Sequence, residues 1–321
     1  TVHVGGNIGI GVLALPAPTA GAVYVIEVSS YQLDLTTSFA PDVAILTNIS
    51  PDHLDRHGGM DGYVAAKARI FQAQGPDAVA LVSLDDARSA AIGASLTAAG
   101  RHVRTVSTAV AAGIRVDGGV LSIDGEPVAS LAGARSLPGR HNAQNAAFAW
   151  GAARALGVPR EVAAGGLMTF PGLAHRMETV GTLGDVRFIN DSKATNTDAA
   201  RQALLSYPSV FWIAGGRAKA GGIDDLADLF PRIARAYLIG EAAPDFARTL
   251  SGVSHQISGD MASAVAQAAA DAAEVAETHG PQVVLLSPAA ASFDQYPDFE
   301  ARGEAFRAAV LALGATPAAS A

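Results

Sequence analysis

The sequence predicts an α/β fold in two domains, and three observations carry that expectation. Short β-branched and apolar runs (VAILT, AVALVS, VRFIN, VFWIAG, AYLIG and VVLLS) recur between longer stretches of helical character, the rhythm of parallel strands joined by helices. Most of these runs end in a polar or glycine-rich cluster, as expected where open α/β sheets bind ligands beyond the C-terminal ends of their strands. Between the two halves, GIRVDGGVLSIDGEPV carries the Asp-Gly turn chemistry of antiparallel hairpins and suggests a small sheet attached to the main one. A chain of 321 residues is long enough for about two such domains.

Composition narrows the function. Half of the residues are hydrophobic and 16% are charged, which fits a folded α/β protein. A formal charge of −8 argues against a general nucleic-acid-binding surface while allowing a local basic pocket. With no cysteine, any metal must be held by oxygen or imidazole, and a cytoplasmic location is expected. No apolar stretch reaches the roughly eighteen residues that a membrane-spanning helix needs.

Taken in order, Val2–Val4 reads as a strand, followed by a turn at Gly5, Gly6, Asn7 and Gly9. Opening directly on a strand, the chain reads as if cut inside a domain. Gly9, Gly11 and Ala14 match the spacing of a dinucleotide fingerprint, with Glu27 near the position of a ribose-binding acid. Pro16 and Pro18 break the helix such a site requires. By local pattern Asn7 is as good a turn former as a ligand.

The run Ala22–Val28 suggests a central parallel strand covered on both faces. Glu27 at its end offers a hard oxygen suited to Mg²⁺, or is an acid facing solvent. VAILT then feeds the acidic loop Asn48–His57, which brings Asp52, His53 and Asp55 to the same crevice. A helix follows with Tyr63, Val64, Ile70 and Phe71 on one face, and Lys67 shares that face. A desolvated lysine has a lowered pKa, and its neutral amine can take up carbon dioxide to become an anionic carbamate. The alternative is a lysine that snorkels its head to water. Further on, LPGRHN opens a helix with His141, Asn142 and Asn145 in its first turns, either caps or a grip on a purine or ribose.

GGLMTFPGLAHR reads as a linker, dividing the chain into a first domain at 1–172, a second at 173–315 and a disordered tail at 316–321. The second domain has the rhythm of a Rossmann-like doubly wound sheet. Its strand-end clusters are Asn190–Lys193, Gly215–Arg217 and Ser287-Pro288.

Nine stretches, in order from residue 5 to about residue 306, carry a family resemblance: GGNIG, EVSSYQLD, TNISPDHLDRH, YVAAKARIF, LPGRHNAQNA, HRMETV, FINDSKATN, GGRAK and LLSPAAASFDQYPDFEARGEAF. The chain resembles the Mur ligases, and NDSKATN with SPAAASFDQ points to the glutamate-adding member. The DNPR-type motif of the diaminopimelate- or lysine-adding relative is absent.

The resemblance implies a central ATPase domain followed by an amino-acid-binding domain. It also implies a reaction in peptidoglycan precursor synthesis, catalysed by an ATP- and Mg²⁺-dependent acid–amino-acid ligase. ATP phosphorylates the carboxylate of UDP-N-acetylmuramoyl-L-alanine, and the D-glutamate amine displaces phosphate. By the same resemblance Glu27, His53 and a carbamylated Lys67 hold magnesium and form the catalytic group, and Asn7 lies near the muramoyl substrate. Asn142 and Asn145 face adenine, while Arg176 and Asp191 contact phosphates and ribose. Lys193, Thr195, Lys219, Ser292, Phe293 and Phe299 line the amino-acid site. A monomer is expected.

The chain departs from the family in two respects: it contains no Gly-Lys dipeptide, so the glycine-rich phosphate loop expected before GGNIG is absent, and the family's uridine-binding N-terminal domain is missing too. On that ground the central domain is expected to be truncated at its N-terminus, and the chain alone to be inactive. Two alternatives remain open from residues alone: a Mur-type ligase adding another amino acid, and a binding fragment without catalysis.

Overall fold

The apolar runs form strands whose alternate residues enter opposite cores. The computed structural model describes residues 1–134 and 136–318. They fall into two units, one made of Thr1–Ser130 and Gln144–Ala164, the other of Leu131–Ala143 and Gly165 onward.

In the first unit β1 (Val2–Gly6) and β2 (Val23–Glu27) pair in parallel as a two-stranded sheet. The expectation that β2 is a central strand covered on both faces is not met. Among the described residues its only paired neighbour is β1, and Val25 is 51% exposed. A β-branched run reports a preference for extended backbone and leaves the number of neighbours open.

After β2, Ser29 and Gln32 form a reciprocal capping box that starts α1 (Ser30–Leu35). Next come β3 (Val43–Leu46), α2 (Leu54–His57) and α3 (Met60–Ala68); Gly58 and Gly59, both at positive φ, allow the sharp break between the two helices. The predicted loop at 48–57 thus closes in a short helix, and Ile70 and Phe71 lie on a 3₁₀ turn beyond α3.

The sheet continues with β4 (Val79–Ser83), α4 (Ala87–Ala98), β5 (His102–Ser107), β6 (Ile114–Asp117), β7 (Val120–Ile123) and β8 (Glu126–Ser130). Its order is β3-β4-β5-β6-β7-β8, parallel through β6 and antiparallel thereafter. The hairpins therefore extend the parallel sheet through the β5–β6 ladder. On one face Ala44, Leu46, Ala80 and Val82 pack with Tyr63 and Phe71. On the other, α5 (Arg140–Ala155) lies so close that a Cβ at Gly151 would be 2.7 Å from Ile114 Cδ1 and 3.3 Å from Leu81 Cδ2.

Helix α6 (Arg160–Thr169) leads into the second unit. That unit contains β9 (Glu178–Leu183), β10 (Val186–Asn190), α7 (Thr197–Leu205), β11 (Val210–Gly215), β12 (Ile233–Ile239), α8 (Ala243–Thr249), β13 (His255–Gly259), α9 (Met261–His279), β14 (Gln282–Leu286), α10 (Phe299–Ala312) and β15 (Thr316–Pro317).

The seven strands run in the order β13-β12-β11-β14-β10-β9-β15, parallel from β13 to β10 and antiparallel at β9 and β15. Ile189, Trp212, Ala214 and Leu238 enter one core with α7 and α8, while Phe188, Phe211, Ile213 and Tyr237 enter the other with α9 and α10. Both faces are covered, as in a doubly wound sheet. Thr316 and Pro317, read as part of the tail, pair with β9, and residues 319–321 lie outside the described residues. Because β14 lies between β11 and β10, the loops after these three strands converge. Among the described residues no helix is long and apolar enough to cross a membrane.

Candidate active site

The first cluster grows from the β1–β2 pair. Gly6 lies opposite Glu27 at φ 109°, where an added Cβ would overlap the Glu27 carbonyl oxygen. The next residue, Asn7, donates its backbone N–H to that carbonyl at 2.8 Å and its side-chain Nδ2 to Glu27 Oε1 at 3.1 Å. Asn7 is therefore at once the turn residue and the group that orients the carboxylate.

Helix α3 carries Lys67 half-buried, its Nζ 5.1 Å from the centroid of the Tyr63 ring. Burial pushes the Lys67 pKa down, against the opposing pull of Asp52 and Glu27. Charge thus couples Lys67 to both carboxylates. His53 starts α2 with left-handed backbone, φ 52°, and its N–H donates to Asp52 Oδ1 at 3.0 Å. The exposed His53 ring lies 3.5 Å from Asp52 Oδ2 and edge-on to Tyr31.

Among the described residues no three His, Cys, Asp or Glu side chains are grouped as a metal site. The donor chemistry nevertheless suits a hard cation. Glu27 and Asp52 offer carboxylate oxygens, and a lysine pushed toward its neutral form is the one that can acquire carbamate oxygens.

On α5, Asn142 donates to the Pro138 carbonyl at 2.8 Å and so closes the LPGRHN turn; Asn145, one helical turn on, is exposed. Gln144 between them is buried and donates to Ser83 Oγ at 3.0 Å and Asp85 Oδ2 at 2.8 Å. Burial opposes ionisation of Asp85, but hydrogen bonds from Ser107, Thr108 and Gln144 outweigh it and hold the carboxyl below its ordinary value. Sequence reasoning missed this anchor because the Asp-Asp pair after β4 reads as an ordinary turn.

In the second unit, two left-handed residues, His175 at φ 61° and Met177 at φ 48°, flank the exposed Arg176. Glu178 Oε2 accepts from His175 N–H at 3.0 Å, and Asp191 Oδ1 accepts from Met177 N–H at 3.1 Å. Asp191 Oδ2 accepts from Ser287 Oγ at 3.0 Å. Burial pushes the Asp191 carboxyl up to about 7, although its hydrogen bonds and Arg176 pull it back.

Lys193 N–H donates to the His175 carbonyl at 3.0 Å, and its Nζ lies 3.8 Å from the centroid of the Phe299 ring. Thr195 is half-buried in the same loop. Arg217 and Ala291 exchange backbone hydrogen bonds of 2.8 and 3.0 Å, which join the loop bearing the exposed Lys219 to the loop bearing the buried Ser292. Arg176, Asp191, Lys193 and Phe299 are thus brought together. Phe293, read as a substrate contact, is 65% exposed.

Known proteins resemble the chain along nearly its whole length. Residues 7–153 match the Mur ligase middle domain, and residues 175–290 match the Mur ligase, glutamate ligase domain. The UDP-N-acetylmuramoylalanine--D-glutamate ligase of Caulobacter vibrioides is 61% identical over 98% of this chain and 68% of its own length. The protein of the same name from Nitrobacter hamburgensis is 52% identical over 99% of this chain and 70% of its own.

Among solved structures, a UDP-N-acetylmuramate-alanine ligase from Thermotoga maritima shares the fold at a TM-score of 0.61 and 15% identity, covering 91% of this chain and 64% of that one. The folylpolyglutamate synthase of Mycobacterium tuberculosis, solved with ADP and AMPPCP, has a TM-score of 0.59 at 18% identity, covering 92% and 69%. With both domains matched in order and relatives above half identity, the chain belongs to the Mur ligase family.

Proposed function

We propose that the chain is the catalytic and amino-acid-binding part of a ligase that adds D-glutamate to UDP-N-acetylmuramoyl-L-alanine at the expense of ATP in peptidoglycan precursor synthesis, and that it is inactive without the glycine-rich phosphate loop. The observation that carries this reading is the 61% identity, over 98% of the chain, to a ligase of that name. The γ-phosphoryl group of ATP passes to the substrate carboxylate, giving an acyl phosphate and ADP. The D-glutamate amine then attacks the acyl carbon, the C–O bond to phosphate breaks, and the amine loses a proton as the amide forms.

In this reading residues 1–172 form the ATP-binding domain and 173–315 the amino-acid-binding domain, in a cytoplasmic monomer. Glu27, His53 and a carbamylated Lys67 would hold Mg²⁺, which would supply positive charge against the negative charge of the transferring phosphoryl group. Asn7 keeps Glu27 oriented, as its 3.1 Å hydrogen bond supports, and borders the muramoyl group. The depressed pKa of Lys67 favours the amine that reacts with carbon dioxide.

Asn142 and Asn145 face adenine, and Arg176 and Asp191 meet the phosphates and ribose. Lys193, Thr195, Lys219, Ser292, Phe293 and Phe299 receive D-glutamate, with the two lysines attracting its carboxylates.

Phosphate release from ATP by the full gene product, with UDP-N-acetylmuramoyl-L-alanine and a panel of amino acids, tests the reading. D-Glutamate alone should support release; equal release with L-alanine or diaminopimelate would overturn it. The carbamate has a separate readout. With ¹³C-bicarbonate the chain should show a carbamate carbon resonance that Lys67→Ala lacks, and identical spectra would remove the modification from the mechanism.

A further inference from the structure

We propose that Arg302, on α10, is the positioning residue of the amino-acid site: it ties the loops after β10, β11 and β14 to one another and sets a fixed positive charge behind them. This rests on the D-glutamate reading of that site.

Arg302 is 1% exposed. Its Nε donates to Ser192 Oγ at 3.0 Å and its Nη2 to the Ser192 carbonyl at 2.8 Å, both in the loop that carries Lys193 and Thr195. Its Nη1 donates to the Ala290 carbonyl at 2.9 Å and the Gly215 carbonyl at 3.4 Å. Ala290 precedes Ser292, and Gly215 opens the loop that reaches Lys219. The three loops follow neighbouring strands in the order β11-β14-β10, so one planar guanidinium at their junction spans all of them. Ser192 Oγ passes the restraint on, donating to the Phe299 carbonyl at 2.8 Å.

Every one of these acceptors is a neutral hydroxyl or carbonyl. A buried guanidinium that hydrogen-bonds no carboxylate is costly to keep, which a purely apolar contact on α10 would avoid. Burial lowers its pKa to about 10, so the group stays cationic at neutral pH, with Asp294 and Tyr296 acting on it only through charge. A dicarboxylate bound by the three loops therefore meets a preset positive field in addition to the lysines. Gly216, at φ 128°, makes room for this junction: a Cβ there would overlap the Ala291 carbonyl oxygen and stand 3.0 Å from Arg302 Nη1.

Arg302→Lys keeps the charge and loses the fork; Arg302→Met loses both at similar size. The test compares amide hydrogen exchange and NMR titrations with D-glutamate and with ADP across the wild-type chain and both variants. The expected result is about tenfold faster exchange at Lys193, Arg217 and Ala291, with Trp212 and Leu285 in the strands unchanged. The D-glutamate Kd should rise about tenfold in the lysine variant and further in the methionine variant, while the ADP Kd stays within about twofold.

Unchanged loop exchange in both variants would overturn the proposal. So would loss of protection in strands and loops alike, because Arg302 would then serve the fold at large. Loosened loops in variants of a chain whose wild type ignores D-glutamate would leave the tie standing and remove the D-glutamate reading.

Discussion

Asp191→Asn should stabilise the second unit above neutral pH while weakening nucleotide binding. The Asp191 carboxyl rises from its ordinary 3.8 to about 7 because it is buried, so the folded protein retains a proton that the unfolded chain releases. Stability from this group is therefore fully present below 3.8 and is lost as pH rises toward about 7, beyond which the loss is constant. At about 1.4 kcal/mol per pH unit, the penalty reaches about 4 kcal/mol above pH 7, with about half of it accruing between pH 5.5 and 8.

Asparagine keeps the shape, can accept from Met177 N–H, and can donate to Ser287 Oγ in place of accepting from it. Denaturant unfolding followed by the fluorescence of buried Trp212, in a Trp150→Phe background, isolates this unit. The variant should gain stability relative to its background as pH rises, by about 2 kcal/mol between pH 5.5 and 8. A pH-independent difference, or a variant less stable at pH 8, would refute a buried carboxyl held toward its neutral form.

Other substitutions test the packing. Gly303→Ala should cost about 1–3 kcal/mol, because a Cβ there overlaps His175 Nδ1 beside the Arg176 turn; a melting temperature equal to wild type would contradict the close contact. Asp86→Ala removes the α4 cap, whose carboxylate accepts from Arg88 and Ser89 N–H at 3.1 and 2.9 Å, and should cost about 1 kcal/mol in urea unfolding. Phe293→Ala should leave stability within about 0.5 kcal/mol, since the ring is 65% exposed, and weaken D-glutamate binding; unchanged affinity would take Phe293 out of the site.

Much of this was legible in the chain. β-branched runs placed the strands, strand-end clusters placed the loops, and the spacing of Lys67 from Tyr63 placed an amine against an aromatic ring. What escaped depends on neighbours or on unusual backbone. The paired neighbours of β2 are a tertiary fact, invisible in VYVIE itself. The pose of Arg176 rests on left-handed backbone at both His175 and Met177, a conformation uncommon for non-glycine residues and unannounced by any glycine in HRMETV. Asp52 looked like one acid among several until its charge was found acting on Lys67. Arg302 could have been suspected, because it stands four and eight residues before the buried Phe306 and Val310, on the face where α10 meets the core.

The most direct measurement follows an oxygen atom. UDP-N-acetylmuramoyl-L-alanine labelled with ¹⁸O in its carboxylate would be turned over by the full gene product with ATP, Mg²⁺ and D-glutamate, and the released phosphate examined by mass spectrometry. Acyl-phosphate ligation predicts that each phosphate carries one oxygen from the carboxylate, and that none is released when D-glutamate is replaced by L-glutamate. Unlabelled phosphate, or release indifferent to the amino acid supplied, would contradict it.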